Sequence, residues 1–344
     1  MGCLRVGFVG VGSMGQCAHL RNYATLTGEC DVVALAELRP ELARRVAARY
    51  GVPKVYASAS EMLAAGNLDA VVASQPFSRH GVLLPELLAS GLPLFIEKPL
   101  ASSVAVGEGL LAAAEASGSP VMVGYHKRSD PASEWLKAEL VRLQESGEWG
   151  RLTYVRIAMP AGDWIAGGFD DLIRTDDPMP ALVADPPDGE MTGEEFADYT
   201  TFVNYYIHQV NLLRFLLGEP YDMTYAEPSG VLLAARSESG VPCAIEMSAY
   251  RTTLGWQESA LIAFEHGWLR LDLPAPLVRN QAGTVTVFDA KTGLSRSPQM
   301  PPEHAMLRQA RNFLRFARGE APAPCEAKEA LCDLQLARDY LRLR

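Results

Sequence analysis

A short apolar run, Leu4-Arg5-Val6-Gly7-Phe8-Val9, leads without a break into Gly10-Val11-Gly12-Ser13-Met14-Gly15 and then into a helical stretch. Few sequence features restrict a fold more, because each glycine answers a separate steric demand. Gly10 permits the tight turn out of the strand, Gly12 lets the backbone come close to a pyrophosphate, and Gly15 lets the helix pack against the strand. Phosphates then rest at the helix N-terminus, where the N–H groups of the first turn point outward. Ser13 and Met14, which open that helix, therefore join the three glycines as cofactor-binding candidates. Such a turn calls for an acidic residue about twenty positions further on, and Glu37 stands twenty-two after Gly15.

Beyond the turn, apolar runs alternate with helical patterns as far as Gly124. Asp31 to Ala36, Ala70 to Ser74, Pro93 to Glu97 and Val121 to Gly124 read as strands. Pro40 to Tyr50, Arg79 to Ala89 and Val104 to Ser117 read as helices, the last two stopped by Gly91 and Gly118. This alternation builds a doubly wound parallel sheet, a Rossmann dinucleotide-binding domain over residues 1–125. A length of 344 residues calls for a second domain, and residues 126–344 read differently. A helix from Pro131 to Glu145 and a strand from Leu152 to Met159 precede a Pro- and Gly-rich stretch; Phe202 to Leu217 then forms a strong helix stopped by Gly218 and Pro220. Six β-rich runs follow with no helix between them: Asp222 to Ala226, Val231 to Ser237, Cys243 to Ala249, Ser259 to Glu265, Trp268 to Leu273 and Val285 to Asp289. Strands without crossovers predict an α+β domain with a large, mainly antiparallel open sheet. Two helices, about Pro302 to Arg318 and Ala327 to Arg342, follow, and the last is expected to pack back on the first domain.

The net charge of −10 is concentrated in one place: eleven acids and a single base, Arg174, lie between Asp163 and Asp198, and the rest of the chain is balanced. That leaves no basic footprint for nucleic acid. The acidic segment reads either as a solvated surface excursion or as a lid that attracts a cationic substrate. The six cysteines, at 3, 17, 30, 243, 325 and 332, form no C-x-x-C pair and show no metal-ligand spacing. They read as small buried hydrophobes in a reducing compartment, with no metal site. With no apolar stretch of membrane length and no charged and apolar leader before the first strand, the chain reads as cytoplasmic, without a membrane partner.

Glu37, at the end of the second strand, is placed to accept hydrogen bonds from the adenosine ribose. This favours NAD over NADP, because a 2′-phosphate beside a carboxylate is repelled. Arg39, two residues on, is the group able to accommodate that phosphate. Leu94-Phe95-Ile96-Glu97-Lys98-Pro99 puts a lysine straight after a buried strand, and the proline biases Lys98 toward an extended backbone. The ammonium thus leaves the carboxyl end of the sheet, where open α/β sheets bind ligands. On the helix Phe202 to Leu217, Asn204, His208 and Asn211 fall at i, i+4 and i+7 on one stripe, with Gln209 and Arg214 elsewhere, facing solvent.

Taken together, these residues resemble the Gfo/Idh/MocA family of nicotinamide-dependent oxidoreductases, which act mostly on sugars, inositols and related polyols. The resemblance covers nearly the whole chain. It rests on Gly10 to Gly15, on Ser74-Gln75-Pro76 with His80, on Glu97-Lys98-Pro99 as its most specific element, and on Gly124-Tyr125-His126-Lys127-Arg128. It implies NAD or NADP as cofactor, held by Ser74, Gln75, Pro76, His80, Glu97 and Lys98 as well as the glycine turn. It also implies a substrate side built from Tyr125, His126, Arg128, Asp163, Trp164 and Tyr205, and a homodimer or homotetramer. The implied reaction interconverts a ring hydroxyl and a ketone of a sugar, inositol or amino sugar, with Lys98, His208 and Asn204 as the catalytic set. Where the family carries Asp-x-x-x-His, this chain reads Asn204-x-x-x-His208, and a further family aspartate is Asn211. Asparagine supplies no charge to stabilise an imidazolium. The sequence therefore points to Lys98 as acceptor of the hydroxyl proton, with Tyr205 or Tyr206 as a third candidate and with His208 and Asn204 orienting the sugar. The acidic segment points further to a cationic substrate such as an aminoglycoside of antibiotic biosynthesis. Two other uses of this scaffold fit the same residues: a non-catalytic regulator that binds nucleotide and sugar, and an NAD-dependent glycosidase working by transient oxidation.

Overall fold

The structure, a computed structural model, describes residues 2–247 and 255–344. The chain divides into two compact units. The first comprises Met1–Tyr125, Gly167–Phe196 and Gln309–Leu334; the second comprises His126–Ala166, Ala197–Arg308 and Gln335–Arg344. A reading that cuts the chain once, near residue 125, thus differs from the structure at 167–196 and 309–334, which lie with the first unit.

The first unit is built on a parallel sheet of β1 (Leu4–Val9), β2 (Cys30–Ala36), β3 (Lys54–Tyr56), β4 (Ala70–Ala73), β5 (Leu94–Glu97) and β6 (Val121–Gly124), in the order β3-β2-β1-β4-β5-β6. The chain order reverses between β1 and β4, the position at which doubly wound sheets take their ligand. The register makes that position level: Val9 pairs with Ala36 on one side and with Ala73 on the other, and Ala73 pairs with Ile96. Between the strands run a π-wound turn over Gly15–Leu20 continued by α1 (Arg21–Thr25), then α2 (Pro40–Tyr50), α3 (Ala59–Ala64), α4 (His80–Leu88) and α5 (Val104–Ser117). The π winding departs from the regular helix expected after Gly15; all six of its residues are buried, and such turns gather at functional sites. β3 and α3 were not legible as a strand and a helix, although α3 carries a full cap. The Ser58 hydroxyl accepts from the Glu61 N–H at 3.2 Å, and the Glu61 carboxylate accepts from the Ala57 N–H at 3.1 Å.

The second unit carries α6 (Pro131–Ser146), β7 (Leu152–Ala158), and all but the first turn of α7 (Gly193–Leu217). Its strands are β8 (Tyr221–Ala226), β9 (Leu232–Ser237), β10 (Pro242–Glu246), β11 (Ser259–Phe264), β12 (Gly267–Asp272), β13 (Thr284–Asp289) and β14 (Leu294–Arg296). They form an eight-stranded sheet in the order β14-β13-β12-β11-β7-β10-β9-β8, antiparallel except where β10 runs parallel to β7. The strand expected to reach Ala249 is described only to residue 247. α7 begins at Gly193 rather than Phe202, because Thr192 and Glu195 cap it reciprocally: each side chain accepts from the other's N–H, at 3.3 and 2.7 Å. The acidic composition of the stretch hid that signal. α8 (Ala305–Ala317) and α9 (Ala327–Leu343) complete the fold. Among the described residues no helix is long and apolar enough to cross a membrane.

Asp130 ties two elements of the second unit together. Its carboxylate caps α6 through the Ala132 N–H at 2.8 Å and accepts from the Gly283 N–H at 3.0 Å. Burial pushes its carboxyl up from the ordinary 3.8 to about 6, although both N–H bonds oppose the shift. The folded state therefore holds this proton more tightly than the unfolded chain. The stabilisation is complete below about pH 4 and is lost as pH rises through about 6. Asp130→Asn keeps an oxygen acceptor and cannot ionise. Urea unfolding across this range is predicted to show the variant gaining on the wild type by up to about 3 kcal/mol; a pH-independent difference would refute the assignment.

Candidate active site

At the switch point the glycine turn is packed hard on one side and open on the other. Gly10 has φ +87°, and a Cβ there would lie 2.1 Å from Gln75 Nε2 and 2.6 Å from the Ser74 carbonyl; a Cβ on Gly15 would lie 2.4 Å from the Gly10 carbonyl. Ser74 and Gln75, at the end of β4, are thus set against the turn. Around Gly12 the only neighbour among the described residues is Arg39 Nη2, 3.8 Å from where a Cβ would sit. Ser13 is exposed and Met14 half-buried beside it. A bare backbone face at the start of a helix, flanked by a strand-end acid, fits the pyrophosphate and ribose of a dinucleotide.

That acid is Glu37, which is buried. One carboxylate oxygen accepts from the Val11 N–H at 3.0 Å, and the other accepts from Arg39 at its N–H, 3.2 Å, and its Nε, 2.8 Å. The arginine able to meet a 2′-phosphate is therefore committed to Glu37. At the end of β5, buried Glu97 is held by His19 and accepts from the Lys98 N–H at 3.1 Å. Burial drives the Glu97 carboxyl up, but His19 and Lys98 outweigh it and hold it below its ordinary value. Glu97 thus fixes the backbone from which half-buried Lys98 projects. His80 has no exposed surface: its Nδ1 meets the Leu100 carbonyl at 3.0 Å, and burial lowers its pKa, so neutral His80 supports the turn that follows Lys98. Pro76 leads into a short helical turn, Phe77–Arg79, that runs on into α4. His19 had no motif to announce it.

The acidic stretch is largely exposed but is bonded to the rest of the first unit at several points. Asp171 pairs with Arg21 and its carbonyl accepts from Arg49, while the Gln16 side chain exchanges two hydrogen bonds with the Ile173 backbone, at 3.1 and 3.2 Å. Asp177 accepts from the Leu42 N–H at 2.9 Å. Asp185 accepts from the Gly81 and Val82 N–H groups, both at 3.0 Å, and from the Ser102 hydroxyl at 3.2 Å. Residues 171–185 therefore form a strap bonded to the segments that follow β1, β2, β4 and β5.

In the second unit, α7 presents Asn204 to solvent and half-buried His208 one turn later. His208 meets buried His126 edge to face, with ring centroids 4.6 Å apart. Asn211, the third member of the stripe, is buried, and its Oδ1 accepts from Arg128 Nε at 2.6 Å, so it anchors the arginine. Gln209 and Arg214 do not face solvent as the helical wheel suggested; both are buried. Gln209 donates to Glu258 at 2.7 Å, and Glu258 also holds Lys127 and accepts from Trp256 Nε1 at 3.3 Å. Tyr206 donates to the Met247 carbonyl at 2.7 Å. Burial raises the Tyr205 phenol against the Gly162 N–H that lowers it, so Tyr205 is not suited to take a proton near neutrality. Asp163 caps a turn through the Ile165 and Ala166 N–H groups at 3.0 and 3.1 Å; the Trp164 carbonyl accepts from Leu277, and Tyr125 is buried at the end of the first unit.

Residues 4–125 match the model of the oxidoreductase family with an NAD-binding Rossmann fold, GFO_IDH_MocA. Over those residues the chain is similar to the Gfo/Idh/MocA family. An inositol 2-dehydrogenase from Acidothermus cellulolyticus is 34% identical over 138 residues, 40% of each chain. One from Burkholderia lata is 26% identical over 223 residues, 64% of this chain and 56% of the relative. The chain thus spans about half the length of these curated relatives. The solved apo scyllo-inositol dehydrogenase from Lactobacillus casei shares the fold, with a TM-score of 0.69 at 16% identity over 99% of this chain and 96% of that one.

Against the Gfo/Idh/MocA pattern, Asn211 is explained by its bond to Arg128, whereas nothing in the structure explains Asn204. The Lys127–Glu258 pair escaped sequence reading because its partners lie 131 residues apart. Both side chains are almost without exposure, so removing one charge strands the other. Glu258→Gln alone is predicted to cost about 3–5 kcal/mol in urea unfolding. The double variant with Lys127→Met is predicted to cost clearly less than the sum of the two single changes; strict additivity would contradict the pairing.

Proposed function

We propose that the protein is an NAD-dependent dehydrogenase that interconverts a ring hydroxyl and a ketone of a polyol of the inositol or sugar class. The observation that carries this reading is the open Gly12 face at the β1/β4 switch point, together with Lys98 leaving the neighbouring β5 from a backbone fixed by Glu97. The curated relatives named as inositol 2-dehydrogenases support the substrate class. When bound, the nicotinamide supplies the hydride acceptor. Lys98 takes the hydroxyl proton as the carbon loses its hydride, and in reduction it returns that proton to the ketone oxygen. His208 and Asn204, the accessible members of the Asn204-His208-Asn211 stripe, bind ring hydroxyls; Asn211 holds Arg128, and His126 packs against His208. The buried Glu37, with Arg39 tied to it, favours NAD over NADP.

A neutral polyol is favoured over a cationic amino sugar because the strap's Asp171, Asp177 and Asp185 are already bonded to Arg21, the Leu42 N–H and the Gly81 N–H. The assembly we propose is a homodimer or homotetramer joined through the outer face of the eight-stranded sheet, where partly exposed Trp268 and Phe288 stack at 5.6 Å.

Purified protein with NAD and a panel of inositols, neutral sugars and amino sugars is expected to reduce the nicotinamide with a neutral polyol. Lys98→Met is expected to lower kcat by about 10²-fold or more while leaving NADH binding within a few-fold. Turnover largely retained in that variant would remove Lys98 from the chemistry, and no turnover with any compound despite NAD binding would favour a regulator.

A further inference from the structure

We propose that Asp177, from the acidic strap, is a second determinant of cofactor choice, denying the 2′-phosphate of NADP the start of α2. The inference rests on the dinucleotide reading of the glycine turn and goes beyond the strand-end acid that the sequence discloses. A 2′-phosphate on the adenosine ribose has to sit between the end of β2 and the first turn of the helix that follows it. Helix N–H groups in that turn are its natural donors. Here α2 opens with Pro40, which has no N–H, and the Leu42 N–H is already taken by Asp177 Oδ2 at 2.9 Å. The Thr175 hydroxyl donates to the same oxygen at 3.3 Å, which holds the carboxylate in place.

The cations able to offset this carboxylate are mostly committed. Arg39 is paired with Glu37, and Arg44 and Arg45 both bond Glu41, whose carboxyl they hold down at about 2. The groove beside α2 is lined by Glu41, Arg45, Arg174, Thr175, Asp176 and Asp177, so its one base from the strap, Arg174, faces three acids. An added phosphate dianion would meet Asp177 and Glu37 at once, with the Leu42 N–H already taken.

The test is direct binding of NADH and NADPH, followed by nicotinamide fluorescence, to the wild type, Asp177→Asn and Asp177→Ala. Asp177→Asn keeps an oxygen for the Leu42 N–H, so the strap stays seated while its charge is removed; thermal unfolding checks this. The expected result is wild-type preference for NADH, a tenfold or greater tightening of NADPH binding in at least one variant, and NADH binding within about threefold of wild type. If the wild type binds NADH and neither variant gains affinity for NADPH, or if the wild type binds both cofactors equally, the role of Asp177 is overturned and the dehydrogenase reading stands. If the wild type binds neither dinucleotide, both fall together.

Discussion

The close packing of the first turn against the end of β4 is the constraint on which the candidate site depends. Gly10 lies so near the Gln75 amide and the Ser74 carbonyl that no side chain fits there, and its φ of +87° is one that other residues rarely adopt. This contact fixes the spacing of β1 and β4 at the point where the strand order reverses. It also turns the backbone so that the next glycine, Gly12, faces away from the protein. A tight inner face and a bare outer face within three residues are what a backbone needs to receive a pyrophosphate.

The same unit surrounds that face with buried charges, each satisfied before any ligand arrives. Glu37 binds the turn itself through Val11 and holds Arg39 beside it. Glu97 binds His19 and the Lys98 amide. Buried carboxylates are tolerated only when hydrogen-bonded, and here the partners are the segments that position the outward-facing groups. The strap extends the arrangement, since its carboxylates satisfy first-turn N–H groups of α2 and α4 that a helix leaves without internal partners. In the second unit, buried Lys127, Glu258 and Gln209 likewise satisfy one another.

What was legible in the sequence follows from how local each signal is. The parallel sheet, the glycine turn, Glu37 and the Glu97-Lys98-Pro99 step are written in short stretches whose periodicity or sterics act within a few residues. β3 was missed because three residues cannot show a period, and α3 and the start of α7 were missed because capping boxes were outweighed by composition. Gln209 and Arg214 were misplaced because a helical wheel assigns a solvent face without knowing that the C-terminal part of α7, from Gln209 to Leu217, is covered on nearly all sides. The Lys127–Glu258 pair and the seating of the strap depend on contacts between residues more than a hundred positions apart, which no local pattern encodes.

The most direct measurement compares two glycine substitutions in one turn by thermal unfolding and NADH titration. A Cβ on Gly12 meets only the Arg39 guanidinium, at an ordinary contact distance of 3.8 Å, so for Gly12→Val the account predicts an unfolding midpoint close to wild type and a loss of NADH binding of at least about a hundredfold. Gly10→Ala meets Gln75 and the Ser74 carbonyl, so it is predicted to lower the midpoint itself. A stable Gly12→Val protein that still binds NADH as the wild type does would contradict the assignment of this face to the cofactor.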